Sequence, residues 1–180
     1  ATGYVGRTDP GPYQASGRVS SVLLQVADGV AADITGHTFS LPFGAARSYA
    51  DAEYELHAAD GALQCDVVPA SELKTELDDR GHVRYLASVW IVLRKKFASG
   101  DIEQVGSSEL ARVKPAAVDP LVALVEEVSE WLTKLARLTN YEAAVWNATN
   151  IEAAVVHRHL REWSQFTGII KTTYEVPKTL

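Results

Sequence analysis

Two stretches near the end of the chain decide the fold. They are Val118-Asp119-Pro120-Leu121-Val122-Ala123-Leu124-Val125-Glu126-Glu127-Val128-Ser129-Glu130-Trp131-Leu132 and Ser164-Gln165-Phe166-Thr167-Gly168-Ile169-Ile170-Lys171-Thr172-Thr173-Tyr174-Glu175-Val176. The first reads as an amphipathic helix that opens at 118–120 and closes near Thr139-Asn140. Asp119 is placed to cap it, and Pro120 to occupy its first turn. Leu121, Leu124, Val125, Val128, Leu132, Leu135 and Leu138 recur at helical spacing and form its buried face. Glu126, Glu127 and Glu130 precede Lys134 and Arg137, which opposes the helix dipole. Glu130 and Lys134 add an i,i+4 pair. The second stretch alternates. Phe166, Gly168, Ile170, Thr172, Tyr174 and Val176 share one face, and Lys171, Thr173 and Glu175 lie on a wetter one, with Pro177 as the stop.

Working outward, Val83 to Phe97 is the strongest strand. Val83, Tyr85, Ala87, Val89, Ile91 and Leu93 face one way and Leu86, Trp90 and Val92 the other, so it belongs in the middle of a sheet. Leu63 to Val68 reads as a short strand stopped by Pro69, with Ser71 to Arg80 as a polar loop or helical turn. Val19, Val22, Leu23, Val26 and Val30 give a first helix, capped by Ser16 or Ser20 and ended by Thr35-Gly36. Phe39 to Phe43 alternates, but Pro42 makes it an edge strand or extended loop. Residues 98–117 read as one long connection. Between Asn140 and Trp163 the pattern suggests short strands at 142–147 and 151–156. The order of elements predicts an α+β class: a mostly antiparallel sheet with two main helices packed on one face. Residues 1–17, rich in Gly and Pro, read as an extended arm, and 18–180 as a single domain.

Composition narrows the functions. At 180 residues, with 47% hydrophobic and 22% charged residues, the chain suits one ordinary globular core. A net charge of −6 opposes general affinity for nucleic-acid backbones. Cys65 is the single cysteine, which rules out an intrachain disulfide or thiolate cluster and predicts a small buried hydrophobe. No apolar run approaches the roughly 20 residues of a membrane span. The N-terminus has no signal-peptide pattern. With an Ala start and no Met, this predicts a chain made in a cytoplasm and trimmed of its initiator.

The motif search is sparse. In a strand His157 and His159 would point the same way, but zinc wants a third ligand that spacing does not supply, so a surface or interface pair is the expectation. Asp78-Asp79-Arg80 and the 51–55 acids lack the spacing of calcium or two-metal loops and read as solvated charge. No serine sits in a G-x-S-x-G setting, and there is no phosphate loop. Catalytic residues, cofactors and metals are therefore expected to be none. Contact surface is expected instead at Tyr4 and Tyr13 in the arm, at the basic strand end Arg94-Lys95-Lys96, at Ile102 in the 98–114 loop, and at Trp131.

The order of several segments resembles a known family. Leu41-Pro42-Phe43-Gly44-Ala45-Ala46-Arg47-Ser48-Tyr49 comes first, followed by Cys65-Asp66-Val67-Val68-Pro69. Next is Arg84-Tyr85 leading into Trp90-Ile91-Val92, then Val118 to Leu132. His159-Leu160-Arg161-Glu162-Trp163-Ser164-Gln165-Phe166-Thr167 closes the set. Together these resemble the tailed-bacteriophage tail terminator (tail completion) proteins of the head–tail neck, over roughly residues 18 to 177. The resemblance implies a structural virion protein, not an enzyme, assembled in the host cytoplasm. It implies a homo-oligomeric ring, a hexamer, that caps the tail tube protein and meets the neck connector (stopper or adaptor). Genomic DNA would only pass through the lumen, and no membrane or cofactor is involved. The alternatives are a neck stopper or other minor tail protein and, from different classes, a small α/β enzyme or ligand-binding domain, or a soluble regulatory module.

Overall fold

The chain's alternating segments meet in one sheet. A computed structural model describes residues 21–57, 61–105 and 110–178. In chain order its elements are α1 (Val22–Gly36), β1 (Ala45–Arg47), β2 (Gln64–Leu77), β3 (Val83–Lys96), β4 (Ile102–Val105), β5 (Leu110–Val113), α2 (Pro115–Lys134), β6 (Arg137–Leu138), β7 (Tyr141–Ala153), α3 (His157–Trp163) and β8 (Gln165–Pro177), with a 3-10 turn at Ser99–Asp101. Six strands form a sheet in the order β1-β2-β3-β8-β7-β6. Among the described strands only the β1–β2 pair is parallel. The class is α+β, as expected.

The long alternating strands hold the centre. β3 and β8 pair over their whole length, from Arg84 with Pro177 to Lys96 with Gln165. On one face Ala87, Val89, Ile91 and Leu93 meet Phe166, Ile170, Tyr174 and Val176, all buried. α1 covers this face over β2 and β3, and α2 covers it over β7 and β8. Val26, Val30 and Ile34 reach the core from α1, and Leu121, Leu124, Val125, Val128 and Leu132 from α2. Gly168 lets α2 approach closely, because a Cβ there would stand 2.5 Å from Val125 Cγ2.

Several local expectations need correction. α2 begins at Pro115, not Val118, since a missing N–H costs nothing at the first helical position. Pro120 lies inside the helix on its exposed side, and the helix ends at Lys134. Leu138 is buried as anticipated, but from β6. The cap of α1 is Ser21, whose Oγ accepts the Leu24 N–H, in place of Ser16 or Ser20.

β2 does not stop at Pro69. The β2–β3 ladder shifts register between Pro69 and Leu73 and resumes to Leu77, so the proline falls where the pairing is irregular. Residues 98–117 are not one open connection. The 3-10 turn and the β4–β5 hairpin occupy them, before α2 starts. Residues 141–153 make one long strand kept in the sheet by two register shifts, not two short strands. His157–Trp163 is helical, and Ser164 at φ 49° turns it directly into β8.

Candidate functional site

The second face of the sheet carries the polar chemistry. It presents Asp66 and Val68 from β2, Trp90, Val92 and Arg94 from β3, and Gln165, Thr167, Ile169 and Lys171 from β8. At one end the segment 48–57 crosses it as a strap, with α3 beside it. The strap forms no strand of its own and is held by side chains from the sheet.

Arg94 is the centre of that hold and is fully buried. Its guanidinium donates to Asp66 and to the main-chain oxygens of Ala50, at 2.7 Å, and Asp51. It also lies 5.4 Å from the Tyr54 ring. Its Nε has no partner among the described groups. Burial pulls its pKa below the usual arginine value, opposed by the Asp66 carboxylate. Ser48 Oγ binds the other Asp66 oxygen at 2.9 Å. Gln165 completes the clasp: Oε1 accepts the Leu56 N–H at 2.8 Å, and Nε2 donates to Tyr54 O at 3.2 Å and Thr167 Oγ1 at 3.0 Å. Lys96 reaches Glu55 at 2.8 Å, and Arg158 reaches Glu53.

His159 is buried beneath the strap, stacked on Trp163 at 4.1 Å. Its Nδ1 lies 2.8 Å from Thr167 Oγ1, and its Nε2 lies 3.6 Å from Glu53. Desolvation lowers its pKa, partly countered by Glu53. Thr167, His159 and Glu53 thus stand in the order of hydroxyl, base and acid. Thr167 is fully buried, however, and its hydroxyl already accepts from Gln165. A nucleophile needs room for a substrate beside it, and this hydroxyl is enclosed. The arrangement ties chain segments together.

Beyond the strap the face lies open. Lys171 Nζ sits 5.4 Å above the Trp90 ring, Ser88 and Thr173 share a hydroxyl bond of 2.8 Å, and Arg84 bridges Glu76 at 3.0 Å and Glu175 at 2.8 Å. Asp51, Ala52, Val68, Trp90, Val92 and Ile169 line a concavity of about 180 Å³. That is below the roughly 300–1,000 Å³ of small-molecule pockets, whereas a shallow cleft between Arg84, Val145, Glu175 and Lys178 reaches about 500 Å³.

The expected contact residues are scattered. Tyr4 and Tyr13 lie outside the described residues. Arg94, expected on a basic surface, is instead wholly internal, because its alternation on β3 turns it under the strap. Lys95 is partly buried, and Lys96 is held by Glu55. Ile102 is partly buried in β4. Trp131 is partly buried, stacked on His37 at 4.7 Å and edge-on to Phe39 at 5.3 Å. His157 and His159 do not form the expected surface pair, since in a helix residues two apart diverge and His159 turns inward.

Cys65 is buried, and burial pushes its thiol pKa up. Asp78 serves the β2–β3 turn by accepting the Arg80 and His82 N–H groups, each at 2.8 Å, and those bonds lower its pKa. No three His, Cys, Asp or Glu side chains gather as a metal site among the described residues, and none of their helices is long and apolar enough to cross a membrane.

The Arg94 clasp escaped sequence reading, although one clue was present. Asp66 stands singly between apolar residues, at Cys65-Asp66-Val67, while Arg94 follows the apolar run Trp90-Ile91-Val92-Leu93 and opens the basic end Arg94-Lys95-Lys96. A lone charge inside an apolar strand, as at Asp66, is a candidate for a buried pair with an opposite charge. Comparison with protein-family models, characterised proteins and solved structures finds no match to this chain.

Proposed function

We propose that the chain is a structural virion protein of a tailed phage, forming a ring of six copies at the head–tail junction. The ring would end the tail tube and join it to the connector, with DNA passing through its lumen. The observation that carries this reading is where the five resembling segments fall. Residues 41–49 lead into and through β1, 65–69 lie in β2, 84–92 in β3, 118–132 in α2, and 159–167 at the α3–β8 corner. β1, β2, β3 and β8 are consecutive neighbours in the sheet. Segments spread along the sequence therefore form one contiguous patch of the fold. The Arg94 clasp adds support, since the most heavily bonded polar groups hold the subunit's own shape.

Two measurements test the proposal together. Purified particles imaged by negative stain with a tagged copy should show label only at the head–tail junction. The assembled ring should have six times the chain mass of 19.5 kDa. Label on the head shell or tail tip, or purified particles lacking the protein, would remove the assignment. A neck stopper or another minor tail protein would keep the virion label but change the neighbours found by cross-linking.

A further inference from the structure

Past Pro69 the outer side of β2 has no strand beside it among the described residues, because β1 pairs only with Cys65 to Val67. On the inner side, pairing with β3 is regular from Leu73 to Leu77. Two main-chain bonds fix the phase of this ladder: Asp78 N–H to His82 C=O, and Lys178 N–H to Val83 C=O. Asp78 and His82 form a hydrogen-bonded pair, so Glu76 and Lys74 also turn their main-chain groups toward β3. Leu73, Thr75 and Leu77 turn theirs outward, where none of the described strands receives them.

This open stretch, Leu73-Lys74-Thr75-Glu76-Leu77, is its own complement when run antiparallel. With Thr75 at the centre, Leu73 faces the partner's Leu77 and Lys74 faces the partner's Glu76, each twice. Leu77 is 70% exposed in the single chain. In the pair it would lie beside the partner's Leu73, which packs against the core. Lys74 and Glu76 lie on the opposite face, where opposed charges across a strand pair attract. Three outward residues on each copy would close about six main-chain bonds. The register shift before Leu73 and the turn at Asp78 bound the contact at its two ends.

We propose that the outer edge of β2 is a homodimer contact. Two copies pair antiparallel over Leu73–Leu77 about a two-fold axis at Thr75, joining their sheets into one. Such a contact closes on two copies, so it does not rest on the ring reading above.

Sedimentation of the full chain over a concentration series tests it, with far-UV circular dichroism to check folding. The wild type should shift from one to two chain masses as concentration rises. Thr75→Pro removes an outward N–H and no bond to β3, so it should be folded and monomeric. Lys74→Glu and Glu76→Lys should each weaken the dimer by about tenfold, since each sets like charges opposite one another twice. An equimolar mixture of those two variants restores both attractive pairs and should return to within about threefold of wild type. Thr75→Cys should cross-link to itself under mild oxidation, while buried Cys65 does not. A wild type that stays monomeric up to millimolar concentration overturns the proposal. So does a dimer that survives Thr75→Pro, or a charge-swapped mixture that gains nothing.

Discussion

Replacing Arg94 with methionine keeps the length of the buried stem and removes the charge. The loss can be worked from the geometry. Asp66 would keep its bond from Ser48 but lose its cation, and the oxygens of Ala50 and Asp51 would lose their shared donor. Removing one partner of a buried pair costs about 3–5 kcal/mol. The Asp66 side chain is 20% exposed, so water reaches it in part and the low end, about 3 kcal/mol, is expected. In urea at neutral pH, with a slope of about 1–3 kcal/mol per molar, the midpoint should fall by roughly 1–3 M. Asp66→Asn should also destabilise, and the double variant should lose less than the sum by about 1–3 kcal/mol. Hydrogen exchange should quicken at the Leu56 amide, which the strap holds against Gln165. A loss under 1 kcal/mol for Arg94→Met, or strict additivity with Asp66→Asn, would refute the view that this pair fastens the strap.

Three other outcomes follow from the same packing and hydrogen bonding. Gly168→Ala forces a Cβ to within 2.5 Å of Val125 Cγ2, so a loss of about 1–3 kcal/mol is expected in chemical denaturation, with partial recovery in Gly168→Ala/Val125→Ala. His159 titrates below its ordinary value of 6.5 in the folded chain, so the unfolded chain binds the extra proton first. Its stabilising effect is present above 6.5 and is lost as pH falls from there toward the lowered folded value. Urea midpoints measured between pH 7.5 and 5 should show this slope, and His159→Gln should flatten it. Leu124→Asp places a charge at a fully buried position under the sheet and should leave no cooperative thermal transition; wild-type-like melting would show that α2 is turned the other way.

The legible parts of the fold were those where one periodicity runs long. β3 and β8 alternate for more than ten residues each, and the buried face of α2 runs from Leu121 to Leu132, about three turns, so tertiary packing only reinforces what the pattern states. β2 was cut short because Pro69 forbids a ladder bond, while register shifts of this kind leave no mark in composition. β7 was split because Asn147 and Asn150 interrupt its pattern and its two register shifts break strict alternation. α3 is only seven residues, too short for a helical period to emerge. The clasp was hidden for a different reason. Gln165 binds Leu56 across 109 positions of sequence, and Arg94 meets main-chain oxygens that any residue could offer.

The position of β8 has a consequence for synthesis on the ribosome. It is the shared neighbour of β3 and β7, joining Arg84 to Pro177 on one side and Val145 to Glu175 on the other. While residues 165–177 are still inside the exit tunnel, the two halves already made have no common strand to dock on. Their apolar faces must wait, exposed, for the piece that arrives last among the described elements. Such long-range closure is slow, and it makes the emerging chain a natural client for chaperones that shield unpaired strands.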